Sequence, residues 1–244
     1  VPWIRRLIYI PLTILLMSSV PVQAQDMPAS LQAGLGLLGG FPSGGFGNNI
    51  TNPGIGISCD IGYRFAQSPV ILGLDMSYMI YGHESRNERF STTIPDVSVR
   101  VVTDNNILMT NFFVRLQPRE GPFRPYIDGL FGFHYLFTKT SIRDIPDPFS
   151  DDIASSINFS DAAFTYGGSV GVMIEVYDGR SERTQFNRSV RTVSIDFRLR
   201  YLDGAEASYL NRGDVLRQSG QTALNISRSE TNIITVFVGA SVEL

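Results

Sequence analysis

Eight separate stretches of this chain alternate apolar and polar residues with a period of two, and no other feature limits its folding choices as tightly. A β-strand sends successive side chains to opposite faces, so period two means a sheet with two unlike faces. The clearest stretch sets Ile55, Ile57, Cys59, Ile61, Tyr63 and Phe65 against Gly56, Ser58, Asp60, Gly62 and Arg64. Comparable runs cover 31–41, 70–80, 108–117, 126–137, 164–176, 192–201 and 234–244. Each is about as long as the 9–11 tilted residues with which a strand crosses a bilayer. No stretch carries a helical stripe.

Alternation alone does not say which row faces outward. The polar rows combine Gly and Ser with Asp and Arg, and only one lysine, Lys139, occurs among twenty basic residues. Small residues with paired charges suit the crowded interior of an eight-strand barrel, whereas a solvated surface ordinarily carries lysine. The apolar rows are bulky, and their aromatics gather near strand ends. Tyr63, Phe65 and Phe123 fall toward one rim, and Tyr78, Phe137, Phe164, Tyr166 and Tyr201 toward the other, as two interfacial girdles would. The predicted fold is therefore all-β: an eight-stranded antiparallel up-and-down transmembrane β-barrel.

The connections follow the same plan. Residues 66–69 and 117–124 make short turns, while 42–54, 81–106, 138–162 and 202–230 are long and polar. Short turns in the periplasm and long loops outside place both termini in the periplasm. The join at 177–190 is longer than a usual turn. Val97, Val99 and Val101 also alternate, so the fourth strand is expected to run past the membrane, with a change of phase near 104–106.

Residues 1–24 read as a cleaved signal peptide: Arg5 and Arg6, an apolar run at 7–20, then Val22, Gln23 and Ala24 before the cut. Residues 25–244 form the barrel. No later segment approaches the roughly 18 apolar residues of a membrane helix. Cys59 is the single cysteine, which excludes an internal disulfide. The net charge of −3 and the lack of a basic aromatic patch argue against nucleic acid.

With these features the chain resembles the OmpA-like superfamily of small outer-membrane barrels. The likeness rests on the eight dyad-patterned strands, on the segment 124–132 that opens Arg124, Pro125, Tyr126, and on the final strand. The ending from Val238 to Leu244 resembles the signal read by the barrel-insertion machinery, although it closes on Leu rather than an aromatic. The resemblance implies an integral protein of the cell outer membrane of a Gram-negative bacterium, a monomer in contact with membrane lipid and lipopolysaccharide. Periplasmic chaperones and the insertion machinery would be partners in assembly, and an unidentified extracellular ligand a partner of the loops.

The inward charges are the candidate site. The short turn at 66–69 sets Asp60 opposite Asp75, two carboxylates that need a cation between them. Either Arg198 or Arg200 reaches across the lumen to supply it, or the pair holds a metal or proton. Arg115 is expected opposite Asp128, with Arg64 and Glu175 completing the network, and Asp196 lies on the same polar rows. His134 faces inward, and the run His134, Tyr135, Leu136 lacks the serine that a lipid-modifying barrel would place beside its base. No cofactor or metal spacing occurs. The sequence favours a non-enzymatic barrel whose long loops serve envelope structure or surface interaction. A narrow porin-like pore is the alternative, with room left by the inward glycines, and a lipid-modifying enzyme comes behind both.

Overall fold

A computed structural model describes residues 28–89, 98–144, 153–179, 190–218 and 221–244. The expected signal peptide at 1–24 lies outside these residues, as does most of the join at 177–190. Eight strands form the main sheet: β1 (Ser30–Pro42), β2 (Gly54–Arg64), β3 (Val70–Arg89), β4 (Ser98–Leu116), β5 (Phe123–Asp144), β6 (Ala154–Asp178), β7 (Thr192–Gly204) and β12 (Ile233–Glu243). Each pairs antiparallel with its neighbour in the chain, and β12 returns to β1 with Leu37 opposite Val238, which makes the sheet a ring.

Burial is inverted with respect to a protein in water. Asp75, Asn111, Arg115 and His134 are fully buried, while Leu37, Ile55 and Phe131 are 66, 71 and 51% exposed. A water-soluble fold hides its large apolar side chains and wets its charges. Here the outer face is a continuous apolar belt, stable only against hydrocarbon, and a ring leaves no strand edge unpaired within it.

The interior is layered. At the end where β1 begins and β12 ends lie Arg64, Gln117, Arg124 and Glu243, and a second charged layer around Arg198 fills the middle. Above it the inward rows turn apolar, with Leu38, Met79, Met109, Leu136, Leu202 and Ile233 all at most 2% exposed. The sequence reading took the inner face as small and charged throughout, and these residues correct it. The alternative of a narrow pore relied on room left by the inward glycines. A Cβ at Gly73 would strike the Phe113 ring, one at Gly40 or Gly54 would strike Met79, and one at Gly171 would strike Tyr126. The glycines make space for bulky neighbours across the strand, and the space is occupied.

Within the described residues, the long polar segments carry regular structure rather than plain loops. Strands β3, β4, β5 and β6 continue well beyond the apolar belt as a four-stranded projection. Helix α1 (Gly44–Asn49) follows β1 and buries Phe46 completely. Four short strands fold into two hairpins before β12: β8 (Glu206–Tyr209) with β11 (Ser227–Glu230), and β9 (Val215–Gln218) with β10 (Gln221–Leu224). The expected change of phase sits on β3 rather than on β4. Tyr81 is an extra residue between the pairs Ile80 to Asn106 and Gly82 to Asn105, a β-bulge. Val99 and Val101 thus stay on the inward face of β4, both buried, with no break in its alternation.

If the outer belt faces lipid, Leu37→Arg near the middle of β1 should cost about 2–4 kcal/mol. Denaturant unfolding of the barrel in lipid vesicles measures this, and an unchanged midpoint would contradict the assignment of that face.

Candidate functional site: the charged interior

The middle layer is built on Arg198 of β7. Its side chain points into the ring because Phe197 and Leu199 on either side belong to the apolar row. From there Nη2 reaches Asp60 Oδ1 of β2 at 2.8 Å and Asp196 Oδ2 at 2.7 Å, and Nη1 reaches Asp75 Oδ2 of β3 at 3.2 Å. Nε donates to the Tyr126 hydroxyl at 2.8 Å, and that hydroxyl donates to Asp196 Oδ1 at 2.6 Å. One guanidinium therefore bridges the lumen to carboxylates on two strands beyond its own.

Asp60 and Asp75 are register partners. Their like charges coexist because Arg198 touches both and Arg200 clasps Asp75 with two hydrogen bonds of 2.7 Å each. Ser58 and Ser77 add hydroxyl donors to Asp75 at 3.2 Å. Such satisfaction is what a carboxylate removed from water requires. Among the described residues no group of three or more His, Cys, Asp or Glu side chains is placed to hold a metal.

Arg115 and Asp128 form a second unit. They are register partners, joined by Nε to Oδ1 at 2.8 Å and Nη2 to Oδ2 at 3.1 Å, with Ser169 donating to Asp128 at 2.7 Å. The guanidinium is held between rings, 4.0 Å from the Tyr126 centroid and 4.9 Å from that of Phe113. Cation–π contact of this kind gains strength when water is excluded.

Arg64 and Glu175 do not complete that unit. They lie nearer the turn end, in a cluster the sequence reading did not assemble. There Arg124 meets Glu243 at 3.0 Å, Glu175 at 3.7 Å and Ser194 at 2.6 Å, while Arg64 bonds Gln117 through both its backbone and side-chain oxygens. Arg124 and Glu243 were visible as inward positions, but only the height of each residue along its tilted strand decides which charges meet.

His134 stands in the apolar upper layer, opposite Met109 on β4 and Ala163 on β6, with the Arg200 charge and the Thr231 backbone nearby. No serine lies beside it in register. His83, in the segment 81–106 expected to be a loop, is on β3 above the bulge, and its Nδ1 lies 2.6 Å from Asp104 Oδ1. At the mouth, Phe46 packs edge-on against Tyr81 and Tyr209, with ring centroids 5.7 and 4.9 Å apart. The Tyr81 hydroxyl donates to the Leu210 carbonyl at 3.3 Å, and burial pushes its pKa up.

A ring of tilted strands with a hydrocarbon-facing exterior and a charged, side-chain-filled interior defines a small membrane β-barrel. The chain belongs to the outer membrane protein β-barrel domain family, whose pattern matches residues 10–224. Among solved structures it is similar to Neisserial surface protein A, at 13% identity over 88% of this chain and 96% of that one, TM-score 0.39. It is also similar to Ail, the attachment invasion locus protein of Yersinia pestis, at 13% identity over 90% of this chain and all of that one (100%), TM-score 0.38. A third is the N-terminal β-barrel domain of Pseudomonas aeruginosa OprF, at 10% identity over 90% and 100%, TM-score 0.36. No curated protein matches the chain.

The pair of Arg115 and Asp128 gives a clean test of the interior. Removing one partner, as in Asp128→Ala, should cost roughly 3–5 kcal/mol, because the guanidinium is left buried and uncompensated. Arg115→Met combined with Asp128→Leu should recover most of that loss. Heat-modifiable gel migration of the three proteins reads the order. Equal loss in the single and double variants would mean that charge burial is not the controlling effect.

Proposed function

We propose that this outer-membrane barrel does not conduct, and that its work is done at the projecting end of the molecule, in surface interaction or envelope support. The carrying observation is the complete burial of the lumen at three successive heights. Arg124 is 1% exposed near the turns, Asp75 and Arg115 are fully buried at mid-height, and Met79, Met109 and Phe46 are fully buried above. A water-filled channel would leave lumen side chains accessible at each of these heights. Bulky side chains over glycines occupy the space that an eight-strand ring leaves inside.

In this reading the short turns at 65–70 and 116–123 and both ends of the barrel chain face the periplasm. The extended ends of β3–β6, helix α1 and the two hairpins face outward. The asymmetry between tight turns and long projections supports the orientation. The interior ion pairs then serve to fix the strands around a solid core. The projection supplies the variable, accessible surface on which surface proteins commonly place recognition.

Two measurements test the reading. Protein reconstituted in a planar bilayer should show no discrete conductance steps, and reproducible steps would refute the closed lumen. In a Cys59→Ser background, Ser155→Cys on the projection should react with a membrane-impermeant maleimide on intact cells, while Glu120→Cys in the turn should react only after lysis. The reverse pattern would invert the orientation.

A further inference from the structure

We infer that Glu243 is a register latch: its carboxylate selects the alignment in which β12 closes the ring on β1. It rejects slips of two residues, which the apolar belt alone would tolerate.

The seam between β1 and β12 is where such a device is needed. Elsewhere in the ring, strands that follow one another along the chain pair with each other, and their connections limit the register. No direct connection joins β1 to β12. A slip of one residue turns every side chain to the wrong face, so the lipid-facing rows reject it. A slip of two keeps each row on its own face. Gly36 and Gly239 approach so closely that a Cβ on either would meet the other's backbone, which favours the observed alignment by shape. That contact is local, and a small separation of the two strands relieves it. Charge is the stricter criterion, and the seam has little of it. β1 carries no charged residue, and Glu243 is the only one on β12.

That carboxylate meets groups from three other strands. Oε1 accepts from the Ser30 hydroxyl of β1 at 2.6 Å and lies 3.7 Å from Arg64 Nε of β2. Oε2 accepts from Arg124 Nη1 of β5 at 3.0 Å. Both guanidiniums are 1% exposed. Arg64 otherwise bonds to Gln117, which is neutral, so β12 brings the carboxylate that balances it. The middle layer cannot align this seam in the same way. Its carboxylates around Arg198 sit on β2, β3 and β7, and β12 enters it through the Phe237 ring.

In the observed alignment Glu243 stands opposite Gln32, and Ser241 opposite Gly34. Sliding β12 by two residues toward the projecting end sets Glu243 opposite Gly34, whose partner on β2 is Asp60. Two carboxylates then share one dry level, while Arg64 and Arg124 lose theirs. Sliding it the other way moves Glu243 about 7 Å toward the turn end, opposite Ser30 and away from Arg124. Either slip leaves a buried guanidinium without its counterion, and separating the strands does not relieve that.

The test is refolding of the whole barrel from urea into detergent micelles, in a Cys59→Ser background, with cysteine pairs that report alignment. Ala33→Cys/Val242→Cys spans the observed register. Leu35→Cys/Val242→Cys reports the slip toward the projecting end, and Ala33→Cys/Ala240→Cys the slip toward the turns. Residues directly opposite each other fall within disulfide range, and residues two positions out of register do not. With Glu243 intact, oxidation should cross-link the first pair alone, and a slipped cross-link there overturns the proposal. Glu243→Gln keeps the side-chain shape without the charge, and should raise a slipped cross-link by roughly tenfold or more. Cross-linking confined to the observed register in that variant would assign alignment to the glycine contact and overturn the latch. Ser241→Glu/Glu243→Gln moves the carboxylate by two residues, and the register should follow it to the Ala33→Cys/Ala240→Cys pair. An unmoved register there is equally fatal. Heat-modifiable migration reports whether each barrel is folded. Where Glu243→Gln gives no folded barrel, Arg64→Gln/Glu243→Gln, which leaves Arg124 with Glu175, should fold and give the slipped cross-link. Failure to fold, or cross-linking only in the observed register, overturns the proposal at that point too.

Discussion

A carboxylate inside a lipid-embedded ring has no water to fall back on, and the interior of this protein is arranged around that fact. Arg198 satisfies Asp60, Asp75 and Asp196 at once while receiving support from Tyr126 and from the Phe237 ring at 4.8 Å. The strands that supply these groups are β2, β3, β5, β7 and β12, so one guanidinium ties five of the eight ring strands through the centre. Backbone pairing fixes each strand to its neighbours, whereas this cluster fixes opposite sides of the ring to each other. Because buried ion pairs are directional and costly to leave incomplete, they discriminate against shifted registers more strongly than apolar contacts do.

The apolar upper layer and the aromatic mouth depend on that base. Met79 and Met109 lie above the charged layer and below Phe46, so the medium around Asp75 is dry on the projecting side. A dry surrounding strengthens every charge interaction beneath it. The same layers that fill the lumen thus hold the ion pairs together. The molecule is solid for an electrostatic reason as well as a steric one.

Most of this architecture was legible in the sequence, because one physical rule governs it: period two in a ring with lipid outside. The runs at 55–65 and 70–80 fix both the outward rows and the Asp60 to Asp75 pairing, since a four-residue turn between them leaves little freedom. What could not be read had specific causes. The Tyr81 bulge adds one residue to β3 without any local composition signal, which moved the expected change of phase to the wrong strand. Met109, Phe113 and Leu130 sit on inward rows but are apolar, so a polarity pattern could not assign them. Arg64 and Glu175 were correctly faced yet wrongly grouped, because tilt separates by height residues that share a row.

The interlocking of glycines with bulky neighbours has a consequence for how such a chain changes over generations. Gly40 and Gly54 are compatible with Met79 only as a set, since a Cβ at either meets side-chain atoms alone: enlarging one glycine demands shrinking the methionine. Interior positions are therefore expected to drift in matched couples, with total volume held constant while individual identities wander. The outward belt is under no such bookkeeping, since any apolar residue meets hydrocarbon equally well. Two homologous barrels can then share little identity on either face and still be filled to the same density.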